Sequence, residues 1–171
     1  LETDGIDANF SYLMETSDTG AFIFSGHLNW IREFLVSDFP GGQPDFDAAG
    51  FTNNDPTRRL SRSMPDLRGN VAVNWIQERH SAGLNMRYVG AYTDNGAANN
   101  IIGDGKLDAY YAFDASYSYT VELASGEVML TLGAIDLFDE DLPQLKNTNG
   151  TDFTVFDPRG RRVFASVAYS L

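Results

Sequence analysis

Gly160-Arg-Arg-Val-Phe-Ala-Ser-Val-Ala-Tyr-Ser-Leu171 is the stretch whose reading decides the fold. Taken with period two, Val163, Ala165, Val167, Tyr169 and Leu171 fall on one face. Arg162, Ser166 and Ser170 fall on the other, where Phe164 and Ala168 are the only apolar residues. Successive side chains of an extended backbone point to opposite sides, so this alternation predicts a strand with one apolar and one polar face.

The same pattern recurs towards the N-terminus. Val128, Leu130, Leu132 and Ala134 alternate with Met129, Thr131 and Gly133, the weakest alternation of the set. Tyr111, Phe113, Ala115, Tyr117, Tyr119 and Val121 lie opposite Asp108, Asp114, Ser116 and Ser118. Leu84, Met86, Tyr88 and Tyr92 oppose Asn85 and Arg87, and Val71, Val73 and Trp75 oppose Asn70 and Asn74. Ile6, Ala8, Phe10, Tyr12 and Met14, opposite Asp7, Asn9, Ser11 and Glu15, open a long hairpin. Its second arm carries Phe22, Phe24, Gly26, Leu28, Trp30 and Phe34 against Ser25, His27, Asn29 and Glu33. The expectation is an all-β, antiparallel up-and-down meander of about seven long strands with no helix.

The connections alternate strictly between short and long. Ser17-Asp-Thr-Gly20, Arg79-His-Ser81 and Ala124-Ser-Gly-Glu127 are short turns by composition. Residues 37 to 63, 94 to 105 and 139 to 158 are long and rich in Gly, Pro, Asn and Asp. In a meander, alternate connections lie at opposite ends, so all short turns share one end and all long loops the other. The strands are also longer than the five or six residues usual in water-soluble sheets. Aromatics sit in two bands on the apolar face: Phe22, Trp75, Tyr119 and Tyr169 near the short turns, and Trp30, Phe34, Tyr88, Tyr92 and Tyr111 near the long loops. Short turns at one end, long loops at the other and aromatic girdles between them are the pattern of a transmembrane β-barrel.

Bulk composition narrows the function classes. The 171 residues suit one domain, and 43% hydrophobic with 21% charged residues excludes a disordered chain. A net charge of −12 and a pI near 4.3 argue against nucleic acid as a partner, since phosphate binding needs clustered Lys and Arg. Cysteine is absent, so neither disulfides nor thiolate chemistry is available. No apolar run reaches the ~18 residues of a membrane-spanning helix, which leaves a barrel untouched.

Thr3–Asp7, Phe113–Tyr117, Ile135–Pro143 and Asp157–Arg162 together resemble the C-terminal third of TonB-dependent outer-membrane receptors. Thr3-Asp-Gly-Ile-Asp7 is similar to a strand start of that family, and Phe113-Asp-Ala-Ser-Tyr117 resembles its Asp-x-Ser-x-Tyr strand. Ile135-Asp-Leu-Phe-Asp-Glu-Asp-Leu-Pro143 resembles its Asn-Leu-Phe-Asp motif ahead of the last extracellular loop. Asp157-Pro-Arg-Gly-Arg-Arg162 resembles its Gly-Arg lead into the closing strand. Asp136 stands where the family usually has Asn, and Leu171 where it usually ends on an aromatic. The resemblance implies the C-terminal strands of a 22-stranded barrel in the bacterial outer membrane, a fragment lacking signal peptide, TonB box and plug domain. The odd strand count points the same way, because single-chain bacterial barrels have even numbers. The implied function is energised uptake of a scarce nutrient such as a metal chelate (siderophore), a vitamin or an oligosaccharide. The implied partners are outer-membrane lipid, the plug and remaining barrel strands, the inner-membrane TonB complex, and the β-barrel assembly machinery at the final strand. The alternative is a soluble β-rich ligand-binding module with an acidic surface.

Candidate chemistry is sparse. His27 on a polar strand face and His80 in an expected turn offer no metal cluster, and Asp104-Gly-Lys-Leu-Asp108 lacks calcium-loop spacing. No catalytic constellation accompanies Ser81, so no enzyme and no cofactor is expected. Glu33, Arg87, Asp114 and Arg162 put both charge signs on the polar face, where the family's barrel wall contacts the plug. Phe39, Phe46 and Phe51 with Arg58, Arg59 and Arg62 combine aromatics and guanidinium groups on one long outer loop, a composition suited to an anionic or chelate ligand.

Overall fold

A computed structural model of the chain describes residues 1–37, 39, 41–44, 46–52, 63–94, 105–146 and 150–171. Among them there is no helix. Seven long strands, β1 (Glu2–Thr16), β2 (Gly20–Val36), β4 (Leu67–Gln77), β5 (His80–Val89), β8 (Tyr110–Leu123), β9 (Gly126–Ile135) and β10 (Arg162–Ser170), form one antiparallel meander in chain order. A two-residue β3 (Phe46–Asp47) joins the loop end of β2. β6 (Tyr92–Thr93) and β7 (Lys106–Leu107) form a separate small pair. Among the described residues β1 pairs with β2 alone and β10 with β9 alone, so the sheet has two open edges.

The alternation read from sequence survives in the register. Phe10↔Gly26, Gly26↔Val71, Val71↔Met86 and Met86↔Phe113 form one continuous apolar row, and Leu132 pairs with Tyr117 and Ala165. Among the described residues, no element covers this face, and only Phe138 reaches it, edge-on against Phe113 at 5.5 Å. Leu132 is 63% exposed and Val163 77%, and Phe10, Leu84, Tyr117 and Val167 are exposed with them. A sheet in water gains ~1.5–3 kcal/mol for each large apolar side chain it buries. This one forgoes that gain along a whole face.

The rim of that face at the short turns is tied down by the polar tips of aromatics. Trp75 Nε1 donates to the Thr19 carbonyl at 2.6 Å, and Tyr169 Oη to the Ser125 carbonyl at 2.7 Å. His80 belongs to this band rather than to a turn. The turn is Glu78-Arg79, with φ +51° at Glu78, and His80 begins β5, 2.6 Å from the Tyr117 hydroxyl and ring-to-ring with Trp75 and Tyr119. A two-residue hairpin needs positive φ, usually from Gly or Asn, so the absence of either in the sequence displaced the expected turn.

The buried core lies among the long connections and the loop end of β8. Tyr92, Leu107, Tyr110, Ala112 and Phe156 pack together, with Val89, Leu142, Leu145 and Val155 around them. Leu107 is 1% exposed. Tyr92 is thus in this cap, not in the outer aromatic band where the alternation placed it. The chain leaves the main ladder at Gly90, and a new two-residue pairing restarts the facing.

One irregularity interrupts β2. Arg32 is an extra residue opposite Asp4/Gly5, so the alternation shifts by one beyond it. Phe34 pairs with Thr3, which shares its face with Asp7 and Asn9, and so leaves the apolar row.

Candidate functional site

The polar face is a belt of cross-strand side-chain bonds. Asn29 Nδ2 donates to Asp7 Oδ1, and His27 Nδ1 meets Asn9 Oδ1, both at 2.8 Å, tying β1 to β2. Asn70 and Asn85 link β4 to β5 at 3.5 Å. Arg87 forks onto Asp114 through Nε and Nη2, each at 2.9 Å, linking β5 to β8. Ser118 and Thr131 hydroxyls meet at 2.7 Å between β8 and β9. Opposed polar residues on one face of an antiparallel sheet are within direct reach, which is why the alternation itself builds this belt.

Asp114 does more than hold Arg87. It also accepts from Asn85 Nδ2 at 3.2 Å and from the Asp136 backbone N–H at 3.0 Å. Asp136 adopts φ +53°, and its carboxylate accepts the Glu140 N–H at 3.1 Å. A short polar side chain tolerates this left-handed conformation and bonds its own backbone there. The Asp136-Leu-Phe-Asp139 segment is therefore the hinge by which β9 leaves the ladder and enters the cap.

The other end of that loop carries a second charge cluster. Asp157 accepts from Arg159 Nη2 at 2.7 Å and from Arg162 Nη2 at 3.0 Å. The Arg159 guanidinium and its backbone N–H hold the Asp157 carboxyl down at about 2. In the cap, Tyr92 Oη donates to Asp152 Oδ2 at 2.9 Å, and burial followed by the Asp152 charge pushes the Tyr92 phenol well above its ordinary value. Buried Asp94 accepts from Thr52 Oγ1 at 3.0 Å and from the Lys146 N–H at 2.9 Å, joining three separate loops. These carboxylates replace water for irregular backbone that has no ladder partner.

Between belt and cap lies a cavity of about 570 Å³. Its walls include His27 and Asn29 of β2, Arg68 and Asn70 of β4, Arg87 of β5, Tyr110 of β8, Phe156 in the cap, and Arg162 of β10. β2 and β10 are five steps apart in the strand order, roughly 24 Å along a flat sheet at the usual strand spacing. That both border one cavity places the polar face and the folded cap around a common interior. The volume falls within the ~300–1,000 Å³ typical of small-molecule sites.

Three of the four charges read from sequence meet here: Arg87 and Arg162 line the cavity, and Asp114 anchors Arg87. Glu33 stands apart at the β2 bulge, paired with Asp4 and 3.7 Å from Arg32. Phe46 and Phe51 pack on each other at 5.9 Å, and Phe39 is exposed; none of these three lines the cavity. Arg58, Arg59 and Arg62 lie outside the described residues, as does Asp104. Among the described residues no group of His, Asp and Glu is arranged to hold a metal ion. Sequence reasoning did not single out Arg68, Asn29, Asn70 or Tyr110, although the first three occupy polar-face positions of strands it had delimited. Comparison with known protein families, with curated proteins and with solved structures found no match to this chain.

Proposed function

We propose that this chain is the C-terminal part of the barrel of a TonB-dependent outer-membrane receptor, serving uptake of a small scarce nutrient across the bacterial outer membrane. The observation that carries this reading is the inversion of the sheet. Seven meander strands expose a continuous apolar face, while their polar face lines a cavity capped by loops from one end. An apolar face left open on strands of 9 to 17 residues suits a hydrocarbon surround, since roughly nine to eleven tilted residues cross a bilayer. The two open edges suit continuation of the sheet by further barrel strands. The motifs around Asp136 and Asp157 support the family, because both are structural joints of the last loop here. In this reading the apolar face meets lipid, the belt and cavity face the lumen, and the plug and TonB complex act through the complete receptor.

The two tryptophans test it directly. Trp30 and Trp75 sit on the apolar face near opposite ends, and the chain has no others. Reconstituted into vesicles of brominated lipid, both Trp30→Phe and Trp75→Phe variants should lose most of the remaining indole fluorescence to quenching. A monodisperse monomer in water, with neither tryptophan quenched by lipid, would instead support a soluble binding module.

A further inference from the structure

Three arginines line the cavity, and two are engaged. Arg87 forks onto Asp114, and Arg162 bonds Asp157. Arg68 is different. It begins the polar row of β4 opposite Asn29, is partly buried, and borders both the main cavity and an adjoining recess of about 470 Å³ beside Ser63, Pro65 and Thr154. Among the described residues its guanidinium makes neither a hydrogen bond nor an ion pair. Asp152, the carboxylate whose field it feels, is already taken by Tyr92 and Thr154. In the same cavity the Nε–H of Arg162 is buried and has no acceptor among the described residues.

A partly desolvated cation without a partner costs free energy unless something supplies acceptor oxygens. The planar guanidinium fork matches carboxylate and phosphate geometry in particular. General attraction does not explain an anion here, because the whole chain carries a net charge of −12 and repels anions at long range. We infer that Arg68, with the free Nε–H of Arg162 across the same cavity, forms a subsite for an oxyanionic group, carboxylate or phosphate, on a small ligand held beneath the loop cap. The inference rests on the receptor reading only for the route by which the ligand arrives.

The test uses the chain folded in detergent micelles and titrated by calorimetry at constant ionic strength against a chloride background. Inorganic phosphate and citrate are the two anionic probes, and glycerol the neutral one. At least one anion should bind saturably, glycerol should not, and the anion that responds identifies the preferred chemistry. Arg68→Gln should weaken binding roughly tenfold or more, the loss expected for a charge-assisted hydrogen bond. Arg68→Lys should retain part of it. Arg79→Gln, at the short-turn end where Arg79 pairs with Glu122, should change nothing. Far-UV circular dichroism confirms that each variant keeps its strands. Absence of saturable binding by both anions overturns the inference and assigns Arg68 to a carboxylate of another protein segment. Equal affinity in Arg68→Gln overturns it too, by placing the anion elsewhere. Lipid quenching of Trp30 and Trp75 without anion binding sinks the subsite alone, whereas anion binding without quenching sinks the receptor reading alone.

Discussion

In the cap, Leu107, Tyr92 and Phe156 are almost wholly enclosed, and Asp94 and Asp152 are buried with their acceptors satisfied. In the strand body, Leu132, Val163 and Val167 lie bare, and the polar side chains have turned to the interior cavity. The same chain therefore follows two opposite rules of partition. The cap encloses its large apolar side chains, as a protein in water does, together with carboxylates whose oxygens are hydrogen-bonded. The body reverses that facing, with apolar side chains on the open face and polar ones towards the cavity, an arrangement that the proposed lipid surround would accommodate. The boundary runs where β5, β8 and β9 leave the ladder, at Gly90, Tyr110 and Asp136, and there the facing of side chains is reset.

Substitutions can break this comparison at either end. The largest expected effect is in the cap. Phe156→Ala removes a ring packed edge-on against Tyr110 at 5.1 Å and should cost about 3–5 kcal/mol of cap stability. Limited proteolysis should then cut within 136–161 while circular dichroism still reports the strands. If the strands unfold as well, cap and body are one cooperative unit and the division drawn here fails.

Next comes the body. Leu132→Arg puts a cation in the middle of the apolar face, at a cost of about 2–4 kcal/mol for folding into lipid vesicles. Its neighbour Thr131→Arg faces the polar side and should cost less, mainly the Ser118 hydroxyl bond at 2.7 Å. Strand, depth and substituent are held constant, so only the facing differs. A larger penalty for Thr131→Arg would mean that the two faces have been exchanged.

A smaller effect concerns the cap's buried phenol. Because the folded state holds the Tyr92 proton more tightly than the ordinary 10.0, the stability it contributes is complete below pH 10 and fades as pH rises beyond it. Tyr92→Phe should flatten that alkaline decline, measured by proteolysis of the cap between pH 9 and 11. An unchanged profile would show that another group governs the cap at high pH.

The smallest effect is at Asp157. Its carboxyl is held at about 2 against an ordinary 3.8, so its stabilisation is present above pH 3.8 and is lost as pH falls through about 2. Arg159→Gln should raise the Asp157 carboxyl towards the ordinary value, which side-chain carbon NMR on a labelled sample would follow. A carboxyl still near 2 would show that Arg162 alone suffices.

How far the sequence reaches follows from the range of the interactions involved. Period-two alternation is a property of the backbone itself, so Val163 to Leu171, or Tyr111 to Val121, declared both strand and facing without any knowledge of neighbours. Turn residues such as Gly20 and Gly126, both at positive φ, placed two of the three short connections for the same local reason. Where the local signal was missing, at Glu78-Arg79, the reading put His80 in the turn, and where it was shifted by one inserted residue, at Arg32, it put Phe34 on the apolar face.

By itself, then, the sequence determined seven amphipathic strands, their order, and two unlike ends. It did not determine that the long connections fold into a core, because Tyr92, Leu107 and Phe156 are far apart in the chain and share no period. Nor did it distinguish Arg68 from Arg87, two arginines on the polar face of neighbouring strands. Both line the cavity, but Arg87 found an aspartate across the strand and Arg68 has none among the described residues, a difference that exists only once β4, β5 and β8 lie side by side.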